Sequence, residues 1–138
     1  MANEVTLITK FSDAVDFVCA DGTGIEKGTI LKIADGRVVA ASSADGDFFI
    51  GIAAREKIAS DGRTSISVYL DGIFDIKTVA SPAAIAAGEP VKIAGANLID
   101  AADDDTIENA GEVVGKALET VSATTQETIN VLIGRGAI

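Results

Sequence analysis

Histidine and tryptophan are missing from this chain, and cysteine appears once, as Cys19. Without histidine the chain lacks the commonest general acid–base group near neutral pH and the commonest zinc ligand. Counting alone therefore excludes a Ser-His-Asp triad, a Cys-His pair and a zinc finger. A single cysteine likewise excludes an intrachain disulfide and a thiolate metal cluster. Aromatic residues make up only 4% of the sequence. That weakens a sugar-binding or base-stacking reading, because both lean on aromatic platforms. Positive charge is scarce as well: 11 Lys and Arg stand against 21 Asp and Glu, a net charge of −10. This balance disfavours nucleic acid, whose phosphates need a basic footprint, and anionic membrane surfaces. The longest run of small apolar residues, Ala83–Ala87, is far short of a membrane span. The opening MANEVTLITKFSDAV has no basic stretch leading into an apolar core, so it does not read as a secretory signal.

What is present is β-patterning in a chain of 138 residues, a length suited to one domain or two very small similar halves. In TSISVYLDGIF, Ile66, Val68 and Leu70 alternate with Ser65, Ser67 and Tyr69; in ETINVLIG, Ile129, Val131 and Ile133 alternate with Thr128, Asn130 and Leu132. Period two marks strands with a buried face. TILKIADGRVVAA reads as a hairpin turning at Asp35-Gly36, since Asp-Gly supplies the positive φ values of a tight two-residue turn. Helical signals are few. SPAAIAAG offers Ser81 as N-cap, Pro82 at the first helical position and Gly88 as a stop, enough for one or two turns.

A weak internal duplication organises these pieces. Gly28-Thr-Ile-Leu-Lys-Ile-Ala34 aligns with Gly88-Glu-Pro-Val-Lys-Ile-Ala94 at an offset of 60 residues. Ile50-Gly-Ile-Ala53 aligns with Val114-Gly-Lys-Ala117 at 64, and Ile66–Leu70 with Ile129–Ile133 at 63. The second hairpin would turn at Gly95-Ala96. The expectation is an all-β fold, a compact small barrel or sandwich, with pseudo-repeats over about 25–80 and 85–136. Residues 1–24 lie outside the repeat as an extended N-terminal arm or first strand, and residues 25–138 form the β domain. The arm carries Val5, Leu7, Ile8, Phe11, Val15, Phe17 and Val18, too apolar for a solvated tail. It either adds a strand to the fold or docks on something else.

Candidate chemistry is thin. Asp100 to Glu112 holds six acids and no cation. It lacks the EF-hand spacing of a Ca²⁺ loop and reads as a solvated acidic loop. Glu26-Lys27-Gly28-Thr29 resembles the end of a phosphate loop, but the glycine follows the lysine, so a turn entering a strand fits better. Asp21-Gly22-Thr23-Gly24 matches a short piece of the aspartic-protease signature, whose chemistry needs two apposed carboxylates. Lys27 or Lys32 would have to sit at a hairpin tip in a lipoyl or biotinyl carrier, and the tip is Asp35-Gly36. Cys19 has no neighbouring cation in sequence and reads as a buried inert thiol. Phe48-Phe49 begins the Gly51 strand with one ring facing the core and the other away from it. No catalytic, cofactor or metal residues are assigned.

The order of elements from Gly28 to Ile99 carries a family resemblance. It runs through the hairpin, Ile50-Gly51-Ile52-Ala53, the loop ending at Asp61-Gly62, the strand Ile66 to Phe74, and Ala83–Ala87 followed by Gly88-Glu89-Pro90-Val91. This is similar to the capsid cement, or head decoration, proteins of tailed bacteriophages, with their V-G-[VI]-A and L-x-G-V-F strands followed by A-I-x-A-G-[DE]-x-V. Including the C-terminal strand pair, the resemblance covers about residues 25 to 135. It implies a compact β fold with no catalytic residues and no cofactor. It further implies homotrimers on the outside of the expanded shell, bound to the major capsid protein after a period in the host cytoplasm, while the acidic balance argues against nucleic acid or membrane as partner. An N-terminal arm that pairs with the capsid makes Val5, Leu7, Ile8, Lys10 and Phe11 the candidate capsid-binding residues. A tail, adaptor or spike-base protein stays open as an alternative, as does a small carrier or ligand-binding module.

Overall fold

A computed structural model describes residues 3–102 and 110–134. Its strands are β1 (Thr6–Thr9), β2 (Val15–Cys19), β3 (Ile30–Ala34), β4 (Val38–Ala41), β5 (Phe49–Ala53) and β6 (Ser65–Tyr69), then β7 (Gly72–Thr78), β8 (Pro90–Gly95), β9 (Leu98–Ala101), β10 (Val113–Ala117) and β11 (Thr128–Ile133). They close two five-stranded barrels. The first runs β2-β4-β3-β5-β6 and returns to β2; the second runs β7-β9-β8-β10-β11 and returns to β7. Each ring has one parallel contact, β2 with β4 and β7 with β9, and is otherwise antiparallel.

The duplication is therefore structural. Bonds outside the strands repeat too. Ile25 and Lys57 exchange backbone bonds as Ile85 and Val121 do, and Gly28 N–H donates to Ala53 O as Gly88 N–H does to Ala117 O. The interiors match residue by residue. Phe17, Ile25, Leu31, Val39, Ala53, Ile66 and Val68 fill the first barrel, and Ile76, Ile85, Val91, Ile99, Ala117, Ile129 and Val131 stand in the same places in the second. Alternation lets two strands of the first barrel serve two cores. Leu31 and Ala53 face inward, while their neighbours Ile30 and Ile52 join the larger cluster that fills the second barrel and the seam. Polar bonds seal that seam. The Ile30 N–H donates to Asn97 Oδ1 at 2.8 Å, Ser42 Oγ donates to the Gly95 carbonyl, and Lys92 pairs with Asp45 at 3.0 Å. The folded surface of 6809 Å² is close to the roughly 6,700 Å² of one packed body of this mass.

Three local expectations need correction. No helix forms over 81–88. Ile85, 1% exposed, makes a β-bridge to Val121 instead, and a one- or two-turn helix cannot outweigh that burial after its nucleation cost. The short helical turns are single 3₁₀ turns at Asp35–Arg37 and Ala110–Glu112. The first hairpin accordingly uses three residues, with Gly36 and Arg37 both at positive φ. The second turns through Ala96-Asn97 with Asn97 at φ 58°, and Gly95 ends β8. Asparagine tolerates the left-handed region, and its side chain at that angle reaches Ile30.

The glycines of β5 and β10 are close-approach residues. A Cβ on Gly51 would run into the Tyr69 carbonyl oxygen, and one on Gly115 into that of Leu132. Backbone cannot swing aside as a side-chain tip can, so Gly51→Ala and Gly115→Ala should each destabilise by about 1–3 kcal/mol or more. Urea unfolding followed by circular dichroism should show similar losses for both, because the two contacts are equivalent.

Candidate functional site

The N-terminal segment is fastened to both barrels. The Val5 N–H donates to the Gly28 carbonyl of the first barrel at 2.9 Å. Gly28 sits at φ 81°, and a Cβ there would meet the Val5 carbonyl oxygen at 2.6 Å. This glycine thus meets two demands, a left-handed turn and the passage of the strap. β1 then crosses to the second barrel, placing Thr6 opposite Asp75, Leu7 opposite Phe74 and Thr9 opposite Ile73.

The five candidate contact residues fall on two sides. Val5, 4% exposed, belongs to the large core cluster, and Leu7 packs against it. Ile8 and Phe11 face outward, at 49% and 43% exposed. Lys10 is half exposed and paired with Asp13 at 2.9 Å. The hydrogen bond and charge of Lys10 hold the Asp13 carboxyl below its usual range. Ser12 Oγ donates to Asp71 Oδ1 at 2.7 Å, tying the connection to the loop between β6 and β7.

The sequence reading missed that the run of exposed apolar residues extends along the chain into β2. Val15 and Val18 are 41% and 43% exposed. Beside them Phe17 is buried, and the Arg37 guanidinium lies 4.8 Å from its ring centroid. Arg37 also donates to the Asp16 carbonyl at 2.8 Å. Of the seven exposed large hydrophobic residues described, Ile8, Phe11, Val15 and Val18 fall within residues 8–18; the others are Phe48, Ile58 and Leu118. Val18 was legible as an outward apolar residue beside Asp16. Val15 was not, because alternation with Phe17 and Cys19 assigns it to the interior.

A second cluster was also missed. Lys57 is among the largest fully buried side chains described, and is the one that carries a charge. Its ammonium donates to the carbonyls of Asp21 (2.9 Å) and Ile58 (2.6 Å) and to the carboxylates of Asp21 (3.1 Å) and Asp61 (2.8 Å). Burial pushes the Lys57 ammonium down, but the bonds to Asp61 and Asp21 outweigh it and the net direction is up. The hydrogen bond from Lys57, aided by that from the Arg63 N–H, holds Asp61 below its usual range. The Asp21-Gly-Thr-Gly stretch is thereby a locked turn, with Asp21 also accepting from the Gly62 N–H at 2.8 Å.

The remaining sequence candidates are placed as follows. Cys19 is buried, and burial pushes its thiol up. Lys32 lies along β3, bonded to Ser43 Oγ at 3.1 Å. Thr29 Oγ1 donates back to the Glu26 carbonyl, closing the turn into β3. Asp100 accepts from the Ala83 and Ala101 N–H groups, while 103–109 of the acidic stretch lie outside the described residues.

The fold and these side chains define the class: an all-β protein with twinned barrels and a segment rich in exposed apolar residues. Comparison with protein families makes it particular. A family model described as phage cement protein matches residues 9–133. The chain belongs to that family, and is a phage virion structural protein that associates with the capsid. Comparison with curated proteins returns no match.

Lys57→Met should lower the thermal midpoint at neutral pH, because it removes the donor shared by the Asp21 and Asp61 carboxylates and two carbonyls. Asp61 is depressed in the fold, so its contribution is complete above the ordinary value of 3.8 and fades as pH falls through the lowered one. Melting curves from pH 7 downward should therefore show the gap between wild type and variant narrowing in strong acid.

Proposed function

We propose that the protein binds the outer face of the expanded capsid and holds neighbouring major capsid subunits together. The working form is a homotrimer, as the family resemblance implies. The protein is made in the host cytoplasm and joins the shell after expansion. It acts by adhesion alone, without bond-making, cofactor, nucleic acid or membrane. The observation that carries this reading is the concentration of exposed apolar side chains between residues 8 and 18 on a cement-family chain.

In this reading residues 1–24 supply the contact and residues 25–138 the rest of the body, with β2 serving both as part of the contact stretch and as a strand of the first barrel. Within the arm, Val5 and Leu7 clamp the strap from behind, leaving Ile8, Lys10 and Phe11 to meet the shell. Burying a valine stabilises by about 1.5–3 kcal/mol, so Val5 holds the contact face in place before binding, and little ordering entropy is lost on contact. A preference for the expanded lattice over the procapsid then biases the shell toward the mature state by mass action. The net charge of −10 keeps an abundant coat component soluble and away from DNA.

Expanded heads lacking this protein, mixed with the purified chain, should take it up and gain resistance to heat. Absence of both effects would sink the reading. Ile8→Asp with Phe11→Asp should weaken uptake by about tenfold or more while leaving the circular dichroism melt unchanged.

A further inference from the structure

The two barrels treat one strand edge differently. β2 and β7 occupy the same place in their rings. Val15 stands opposite Val68 and Phe17 opposite Ile66, as Phe74 stands opposite Val131 and Ile76 opposite Ile129. On the other edge each accepts a parallel strand only at its C-terminal end. Val18 and Cys19 meet Val38 and Val39, and Lys77 and Thr78 meet Leu98 and Ile99. The rest of that edge on β7 is filled by β1. The same stretch on β2, Ala14–Asp16, carries no strand among the described residues. Burial records the difference: Phe74, beneath Leu7, is 1% exposed, while its twin Val15 is 41% exposed. Asp75, twin of Asp16, stands opposite Thr6, whereas the Asp16 carbonyl is capped by the Arg37 side chain.

We propose that the open edge of β2 over Ala14–Asp16 seats an extended strand of the capsid shell protein, set antiparallel as β1 is set on β7. The proposal rests on the capsid reading above and names the contact it uses. Strand addition to an open edge supplies main-chain hydrogen bonds, and side-chain alternation supplies selectivity. The arriving strand presents one apolar residue over Val15, as Leu7 covers Phe74. It carries a flanking Lys or Arg, because Asp16 presents an exposed carboxylate beside this edge, held by the Ser67 hydroxyl, while the nearby cations Lys10 and Arg37 are engaged by Asp13 and by the Asp16 carbonyl and Phe17 ring. Arg37 acts as a placeholder, since a side-chain tip can be displaced by backbone. A second copy of this chain is a poorer source: its β1 is anchored by Val5 in the core. The open edge follows the exposed Ile8 and Phe11 of the proposed contact directly along the chain.

The test uses expanded heads lacking this protein and the full chain. Val15→Glu places a charge at an exposed position, so its fold should survive, with an unchanged melt. Half-occupancy of heads should then require about tenfold more protein or greater. A benzoylphenylalanine introduced at position 15 should crosslink to the shell protein on illumination. A folded Val15→Glu protein that decorates heads as wild type does would overturn the proposal and leave the capsid reading standing. A crosslink solely to another copy of this chain would do the same. If Val15→Glu does not fold, the crosslink decides alone. Failure of wild type to occupy heads at all removes the capsid reading and this contact with it.

Discussion

The apolar cluster shared across the seam of the two barrels holds this structure together. Each barrel spans roughly sixty residues, a size at which one core leaves little margin. The chain answers by sharing. Ile30 and Ile52 turn their backs on the first barrel and pack into the cluster of the second, and Val5 enters the same cluster from the strap. Val5 is also bonded to the first barrel at Gly28, and β1 after it is laddered to the second along β7. Loosening this strap would uncover Phe74 and withdraw Val5 from the shared cluster, so the segment that carries Ile8 is tied to the stability of the body.

Duplication has kept the interiors and released the rest. The inward positions stay apolar in both copies apart from Cys19 and its twin Thr78, whose hydroxyl accepts from the Glu127 N–H. Outside the barrels the copies diverge. Where the second has Val121 against Ile85, the first has Lys57 against Ile25, held by two aspartates and two carbonyls. A buried ammonium is stabilised only if nearly every donor position is met. The loops at 20–22 and 57–63 are thus organised by charge in one copy and by packing in the other. The opening strands also part ways: β7 is covered and its twin β2 stands open.

For a cement protein this division of labour has a physical logic. Adhesion to a lattice gains from many repeated contacts, each of which needs only modest strength if the surface is preorganised. In the proposed reading the doubled barrel supplies the back, and the stretch from Ile8 to Val18 supplies exposed apolar side chains. The side chains that looked like chemistry in the sequence are occupied in holding turns: Asp21 locks onto Lys57 and Gly62, Thr29 closes its own turn, and Lys32 is bonded to Ser43.

Much of the fold was legible because strands write period two and close-approach glycines into the sequence. The alternation over 65–70 and 128–133, the paired glycines 51 and 115, and the offset near 60 determined an all-β duplicated chain, and the charge balance argued against phosphate-bearing partners. Pairing was not legible, because hydrogen bonds between strands depend on backbone placement and leave no mark on side-chain identity. Thus β2 and β7, which share only an aspartate at equivalent positions (Asp16 and Asp75), emerged as twins only through their registers. Ile85 became a bridge residue instead of part of a helix. Val15, apolar and in phase with the core, ended up at the surface, because burial belongs to whatever covers a residue, and only the tertiary structure decides which edge receives a strand.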